Sequence, residues 1–201
     1  MTVVATDASA AMITLAREKA RRAGCLDRIE FHCVAMEDVG RSFKGLTFDG
    51  IFSNFGAVNC TDDLASLATD LAGLLPANGA LVWVIMGRRV PWEWLWYLLR
   101  ADRDRAFRRY RPGGVVWRGL RVHYPPPSDV VELLRPSFSV TRLSPLGIVV
   151  PPSYAAEWLN RSPKILSALV RLESLAQGST ALASWSDHYV VEARRSSASG
   201  M

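Results

Sequence analysis

Asp7 closes a short β-branched run, Thr2 to Thr6 (TVVAT), and Ser9 stands two positions later at the head of an apolar-periodic stretch. Ligands of open α/β sheets bind beyond the carboxyl ends of the strands. A carboxylate at such an end can accept hydrogen bonds from both hydroxyls of a ribose. Its plainer use is to face the positive end of the helix that follows. A second polar group, Ser53-Asn54-Phe55-Gly56, follows the run FDGIFS. Carbonyls and an amide there can hold an ammonium group, although Asn and Gly also suit a bare turn. His123 and Tyr124 are the candidates for taking a proton from a hydroxyl or amine. His32 and His188 fall inside strand-like runs and read as structural. No His, Asp or Glu pair has metal-ligand spacing. Cys25, Cys33 and Cys60 are odd in number and form no C-x-x-C, which points away from a disulfide framework and toward a reducing cytoplasm.

These residues need elements to position them. Ser9 reads as a helix N-cap, with Met12, Ile13, Leu15, Ala16 and Ala20 at helical spacing and Gly24 at the close. Arg28 to Val34 alternates as a second strand, and Phe48 to Ser53 is a third. Thr61-Asp62-Asp63 caps a helix through Leu75. Pro76, Asn78 and Gly79 turn into Ala80 to Met86 (ALVWVIM), an apolar run suited to a buried parallel strand. The order β-α-β-β-α-β predicts an α/β doubly wound sheet. Farther on, Tyr124-Pro125-Pro126-Pro127 reads as a stiff linker and Ser128 as the cap of a helix through Arg135. Phe138 to Leu143 is a strand, Ser153 to Ala176 a helix interrupted at Pro163, and Asp187 to Ala193 a final strand.

The 201 residues fit one domain, 1–201, with an insertion at about 90–121. The net charge of +5 belongs to one segment. Arg88 to Arg121 holds ten Arg against Glu93, Asp102 and Asp104, while the rest of the chain is slightly acidic. The same segment carries Trp92, Trp94, Trp96, Tyr97, Phe107, Tyr110 and Trp117. It reads first as a helical lid over an apolar or aromatic small molecule. A helix lying on an anionic membrane surface is the second reading, and a solvated face with Arg–Asp pairs is the plain one. Nucleic acid is the least favoured partner and would require a steep salt dependence. No apolar run reaches the roughly 18 residues of a spanning helix.

The segment VVATDASAAMITLAREKA resembles the second strand and following helix of class I S-adenosylmethionine-dependent methyltransferases. RIEFHCVAMEDV, FDGIFSNFGAVNC and LAGLLPANGALVWVIMG match the family's next three strand regions in order and spacing. HYPPPSDVVELLRPSFSVTRL with DHYVVEARR resembles the last helix and closing strands of small-molecule members of the quinone-biosynthesis type. The resemblance implies a Rossmann-like, mostly parallel sheet and S-adenosylmethionine as cofactor. It implies that Asp7 and Ala8 meet the ribose, with Met12 packing nearby. Met36 and Glu37 would clasp the adenine, Ala35 standing where an acidic residue is expected. Ser53, Asn54 and Phe55 would lie beside the methionine end. The family's first strand and glycine-rich loop belong ahead of Asp7, whereas the chain starts at Met1. A gene start farther upstream is the preferred expectation. The expected activity is methyl transfer to an O, N or C nucleophile of a small molecule. The alternatives are an impaired relative serving as a binding partner and a nucleotide-binding oxidoreductase.

Overall fold

A computed structural model describes residues 1–54, 56–117, 119–150 and 163–197. The strands and helices are β1 (Val3–Asp7), α1 (Ala10–Arg22), β2 (Ile29–Cys33), α2 (Val39–Ser42), β3 (Gly50–Ser53), α3 (Leu64–Gly73), β4 (Ala80–Met86), α4 (Pro91–Leu98), α5 (Arg103–Ala106), β5 (Val115–Trp117), β6 (Leu120–Val122), α6 (Pro127–Leu134), β7 (Phe138–Leu146), α7 (Pro163–Ala176) and β8 (His188–Arg195). Local chemistry sets the first boundaries. Ser9 Oγ accepts from the Met12 N–H at 3.4 Å, and Asp63 accepts from the Ser66 N–H at 2.9 Å, so each caps its helix. Gly24, at φ 66°, supplies the left-handed residue after α1.

The α/β, Rossmann-like sheet is in two pieces. β1 pairs in parallel with β2. The other piece runs β3-β4-β8-β7, with β3 and β4 parallel and β8 antiparallel to both β4 and β7. β1 and β3 do not hydrogen-bond to each other, so each keeps an open edge. The pieces are joined instead through α2, which packs on α3. A Cβ on Gly40 would stand 2.6 Å from Asp70 Cβ, so glycine is what lets the two helices approach. Phe43 is buried in the core, and Val4, Met36, Val39 and Ile51 pack on the same cluster.

That cluster centres on β4, whose apolar run puts Leu81, Trp83 and Ile85 on one fully buried face against α3 and α6. Each such side chain contributes roughly 1.5–3 kcal/mol by leaving water. Several expectations change. α6 begins at Pro127, with no side-chain cap, and Ser128 bonds its neighbour Asp129 instead. Proline suits the first helical turn because it lacks the N–H that would be unpaired there. β7 runs on through Pro145 to Leu146, which an edge strand tolerates. The arginine-rich segment holds the hairpin β5–β6 as well as helices. Three-residue strands are too short for a period to show. The helix expected from Ser153 starts, within the described residues, at Pro163. The rest of that span, 153–162, lies outside them, as do Phe55 and Arg118.

Candidate active site

The turns after β1 and β2 lie side by side. The Val34 N–H donates to the Asp7 carbonyl at 3.1 Å, and the Cys33 thiol faces the Ala8 carbonyl at 3.5 Å. Asp7 is exposed, and its Oδ1 accepts from the Ser9 N–H at 2.8 Å. Its second oxygen has no partner among the described residues and can accept from a ligand. Met36, Glu37 and Asp38 form a single 3-10 turn after β2. Met36 leans on the core, while Glu37 is exposed. Burial, and then the charge of Glu37, push the Cys60 thiol up. Met12, on the exposed side of α1, is over half exposed.

Ser53 ends β3 and is buried, and neither its hydroxyl nor the buried Thr61 hydroxyl has a hydrogen-bond partner among the described residues. An unsatisfied buried hydroxyl costs about 1–3 kcal/mol, so both are suited to a ligand's polar groups. Gly56, at φ 94°, is pressed so close to Met86 that a Cβ would come within 2.6 Å of its methyl. Asn54 is exposed beside Ser53.

Asn59 is the hub of the next layer. Fully buried, it accepts from the Met86 N–H at 2.9 Å and donates to the Met86 carbonyl at 3.3 Å and the His123 carbonyl at 2.7 Å. Its own carbonyl accepts from the His123 N–H at 2.7 Å. The end of β4 and the residue after β6 are thereby locked together. His123 is held in turn by its ring, whose Nε2 lies 2.7 Å from Asp62 Oδ1. A Cβ on Gly114 would collide with the Val122 carbonyl oxygen, so glycine is what lets the chain pass so close to the end of β6. Tyr124 is half-buried under the Arg109 guanidinium. Burial raises its phenol despite Arg109 and Arg108.

A buried ion-pair network roofs this end. Glu93 is 1% exposed and takes Arg109 at 2.7 Å and Arg108 at 3.0 Å. Arg109 also reaches Asp187 at 2.7 Å and the Gly87 carbonyl at 2.8 Å. Burial works against the Arg109 charge, but the Glu93 and Asp187 carboxylates outweigh it and hold its pKa above the usual value. Glu173 on α7 accepts four successive backbone N–H groups, from Gly147 to Val150, at 2.7–3.2 Å. The Trp92 indole donates to the Val149 carbonyl at 3.1 Å, tying α4 to that loop.

Of the sequence candidates, the structure sets Asp7 and Ala8 beside the segment after β2 that leads to Met36 and Glu37, while Ser53 and Asn54 stand at the end of β3. Phe55 lies outside the described residues. Asp62, Asn59 and the Glu93–Arg109–Asp187 network carry no sequence signal beyond their residue types. Among the described residues no cluster has the makeup of a metal site. None of their helices is long and apolar enough to cross a membrane.

Residues 1–79 match a family model described as a methyltransferase domain. No curated protein matches the sequence. Among solved structures, an S-adenosylmethionine-dependent methyltransferase from Methanosarcina mazei is similar, with a TM-score of 0.60 and 14% identity over 97% of this chain and 82% of its own. The N-methyltransferase NodS from Bradyrhizobium japonicum, solved with S-adenosyl-L-homocysteine, gives 0.53 at 12% identity, over 96% of this chain and 66% of its own. The cyclase SpnF gives 0.55 at 15% identity, over 98% and 67%. The fold is that of the class I S-adenosylmethionine-dependent methyltransferases. That a cyclase shares it means the fold alone does not fix the chemistry.

Proposed function

From the methyltransferase-domain family and that fold as premise, we propose that the chain binds S-adenosylmethionine at the carboxyl ends of β1 to β4 and directs its methyl group to an O, N or C nucleophile of a small molecule. The observation that carries this reading is Asp7, which ends β1 with one carboxylate oxygen fixed by Ser9 and the other open. That geometry suits a pair of ribose hydroxyls. Ala8 and Met12 border the same turn, and Met36 with Glu37 offers a backbone N–H and a carboxylate to an adenine edge. The Ser53 hydroxyl, with Asn54 beside it, suits the amino-acid end, where a missing partner would be supplied.

The cofactor, when bound, supplies a methyl already activated by its sulfonium. What remains for the protein is alignment and, for a protonated acceptor, removal of a proton. We assign that step to His123. Asp62 holds Nε2–H at 2.7 Å, leaving Nδ1 as the accepting atom. Tyr124 orients the acceptor as a hydrogen-bond donor. The Arg88–Arg121 segment excludes water above, as a lid over an apolar or aromatic substrate.

Calorimetric titration with S-adenosyl-L-homocysteine tests the reading. Wild-type protein is expected to bind, and Asp7→Ala to bind at least tenfold more weakly with its fold unchanged by circular dichroism. A folded wild type that gives no heat would favour a second reading, a methyltransferase relative that acts as a binding partner without turnover. The break between β1 and β3 is the observation behind that alternative.

A further inference from the structure

α4 is built inside out. Its acidic residue, Glu93, is 1% exposed, whereas Leu95 (52%), Leu98 (43%) and Leu99 (75%), just past its end, face solvent. Pro91, Leu95, Leu98 and Leu99 follow helical spacing, so they form one apolar stripe. The inversion is fixed by the buried ion pairs of Glu93 with Arg108 and Arg109, which set the rotation of the helix. Phe107 and Tyr110, also exposed, lie next to α4, each with its ring centroid 6.1 Å from that of Trp94.

The charge carried with these surfaces has one dominant sign. Arg89, Arg100, Arg103 and Arg121 are exposed and form no ion pair with a carboxylate among the described residues. The acids are largely engaged. Glu93 is buried, Asp102 caps α5, and Asp104 stands 3.8 Å from Arg111. An exposed apolar stripe accompanied by arginine has the makeup of an interfacial helix. A second copy of the chain is the poorer fit, because a twofold contact would set arginine-rich surfaces against each other. An anionic bilayer complements both the leucines and the arginines.

We propose that the α4–α5 face docks on an anionic lipid surface. Leu95, Leu98 and Leu99 enter the boundary between headgroups and acyl chains, and the arginines of this face meet lipid phosphates. The proposal does not depend on the methyl-transfer reading, since its readout is membrane binding.

Sedimentation with lipid vesicles is the test. Protein is expected to bind vesicles of phosphatidylcholine mixed with phosphatidylglycerol, and to bind at least ~10-fold more weakly when salt is raised or phosphatidylglycerol is omitted. Leu95→Asp with Leu98→Asp should abolish binding, and Arg100→Glu with Arg103→Glu should weaken it ~10-fold or more. All four positions are exposed, and an unchanged circular dichroism spectrum and urea midpoint would show that the fold survives. The proposal is overturned by absence of binding, by equal binding to neutral vesicles, or by binding that persists in the Leu95→Asp, Leu98→Asp protein. A wild-type dimer that these two substitutions dissolve, with no vesicle binding, would assign the face to a second copy.

Discussion

The two halves of the candidate site are built in opposite ways. The half around β1 and β2 presents Asp7 and Glu37 in the open, on short turns with few bonds. The half around β4, β6 and β8 is buried and polar, with Asn59 and Arg109 each tied to several partners. The first has spare hydrogen-bonding capacity and suits a ligand that supplies the missing partners. The second has almost none to spare and serves as a frame. Substitutions should therefore cost ligand affinity in one half and stability in the other.

The largest effect is expected at Glu93. Glu93→Ala leaves Arg109 buried with half of its ion-pair network gone, and breaking a buried pair in this way costs about 3–5 kcal/mol. Urea denaturation would measure it, and Glu93→Gln should cost less because a hydrogen-bond acceptor remains. A loss of under ~1 kcal/mol would mean that this half is not held by charge. Asn59→Ala comes next. It strands the Met86 N–H and the His123 carbonyl, for a cost of at least ~2 kcal/mol. Affinity for S-adenosyl-L-homocysteine should change little, which is the reverse of the pattern expected for Asp7→Ala. If the two variants behaved alike, the contrast between the halves would fail.

How much of this was legible in the sequence follows from distance along the chain. The Ser9 cap, the β4 run and Asp7 at a strand end are local patterns, and the structure places them as read. The frame is not local. Asn59 meets a residue 64 positions away, and Arg109 meets one 78 positions away. Glu93 in a Trp-rich helix looks like its one solvent-facing residue, and only the arginines reveal that it points inward. Ser128 resembled a helix cap, but Pro127 had already begun the helix. The β5–β6 hairpin left no periodic trace in two strands of three residues each.

Acid provides a smaller probe of the frame. Burial would raise the Asp187 carboxyl, but the His188 hydrogen bond and the Arg109 charge overcome this and hold it below the usual carboxylate range. A carboxylate with a depressed folded pKa contributes stability that is fully present above the unfolded value of about 3.9 and is lost as pH falls through the folded value. Wild-type stability should therefore fall below about pH 4. Asp187→Asn should be less stable near neutrality and lose less on acidification. Urea midpoints at about pH 6 and about pH 3 would check this. Parallel acid slopes in the two proteins would remove Asp187 from the frame's charge balance.

The smallest effect concerns strain within the frame. Ala101 follows α4 with φ 57°, in the left-handed region, so that its N–H reaches the Leu98 carbonyl at 3.0 Å and the Asp102 N–H reaches the Tyr97 carbonyl at 2.9 Å. These bonds close the helix as glycine-ended helices close, but alanine pays for the conformation with about 1 kcal/mol of steric strain. Ala101→Gly removes that strain and adds about 0.4–1 kcal/mol of unfolded-chain entropy. The balance is a gain of at most ~0.5 kcal/mol. Thermal unfolding should show a melting temperature equal to the wild type's or a degree or two higher. A clear loss would mean that the methyl group of Ala101 contributes packing that outweighs the backbone strain, and that the turn between α4 and α5 is part of the rigid half rather than its loose rim.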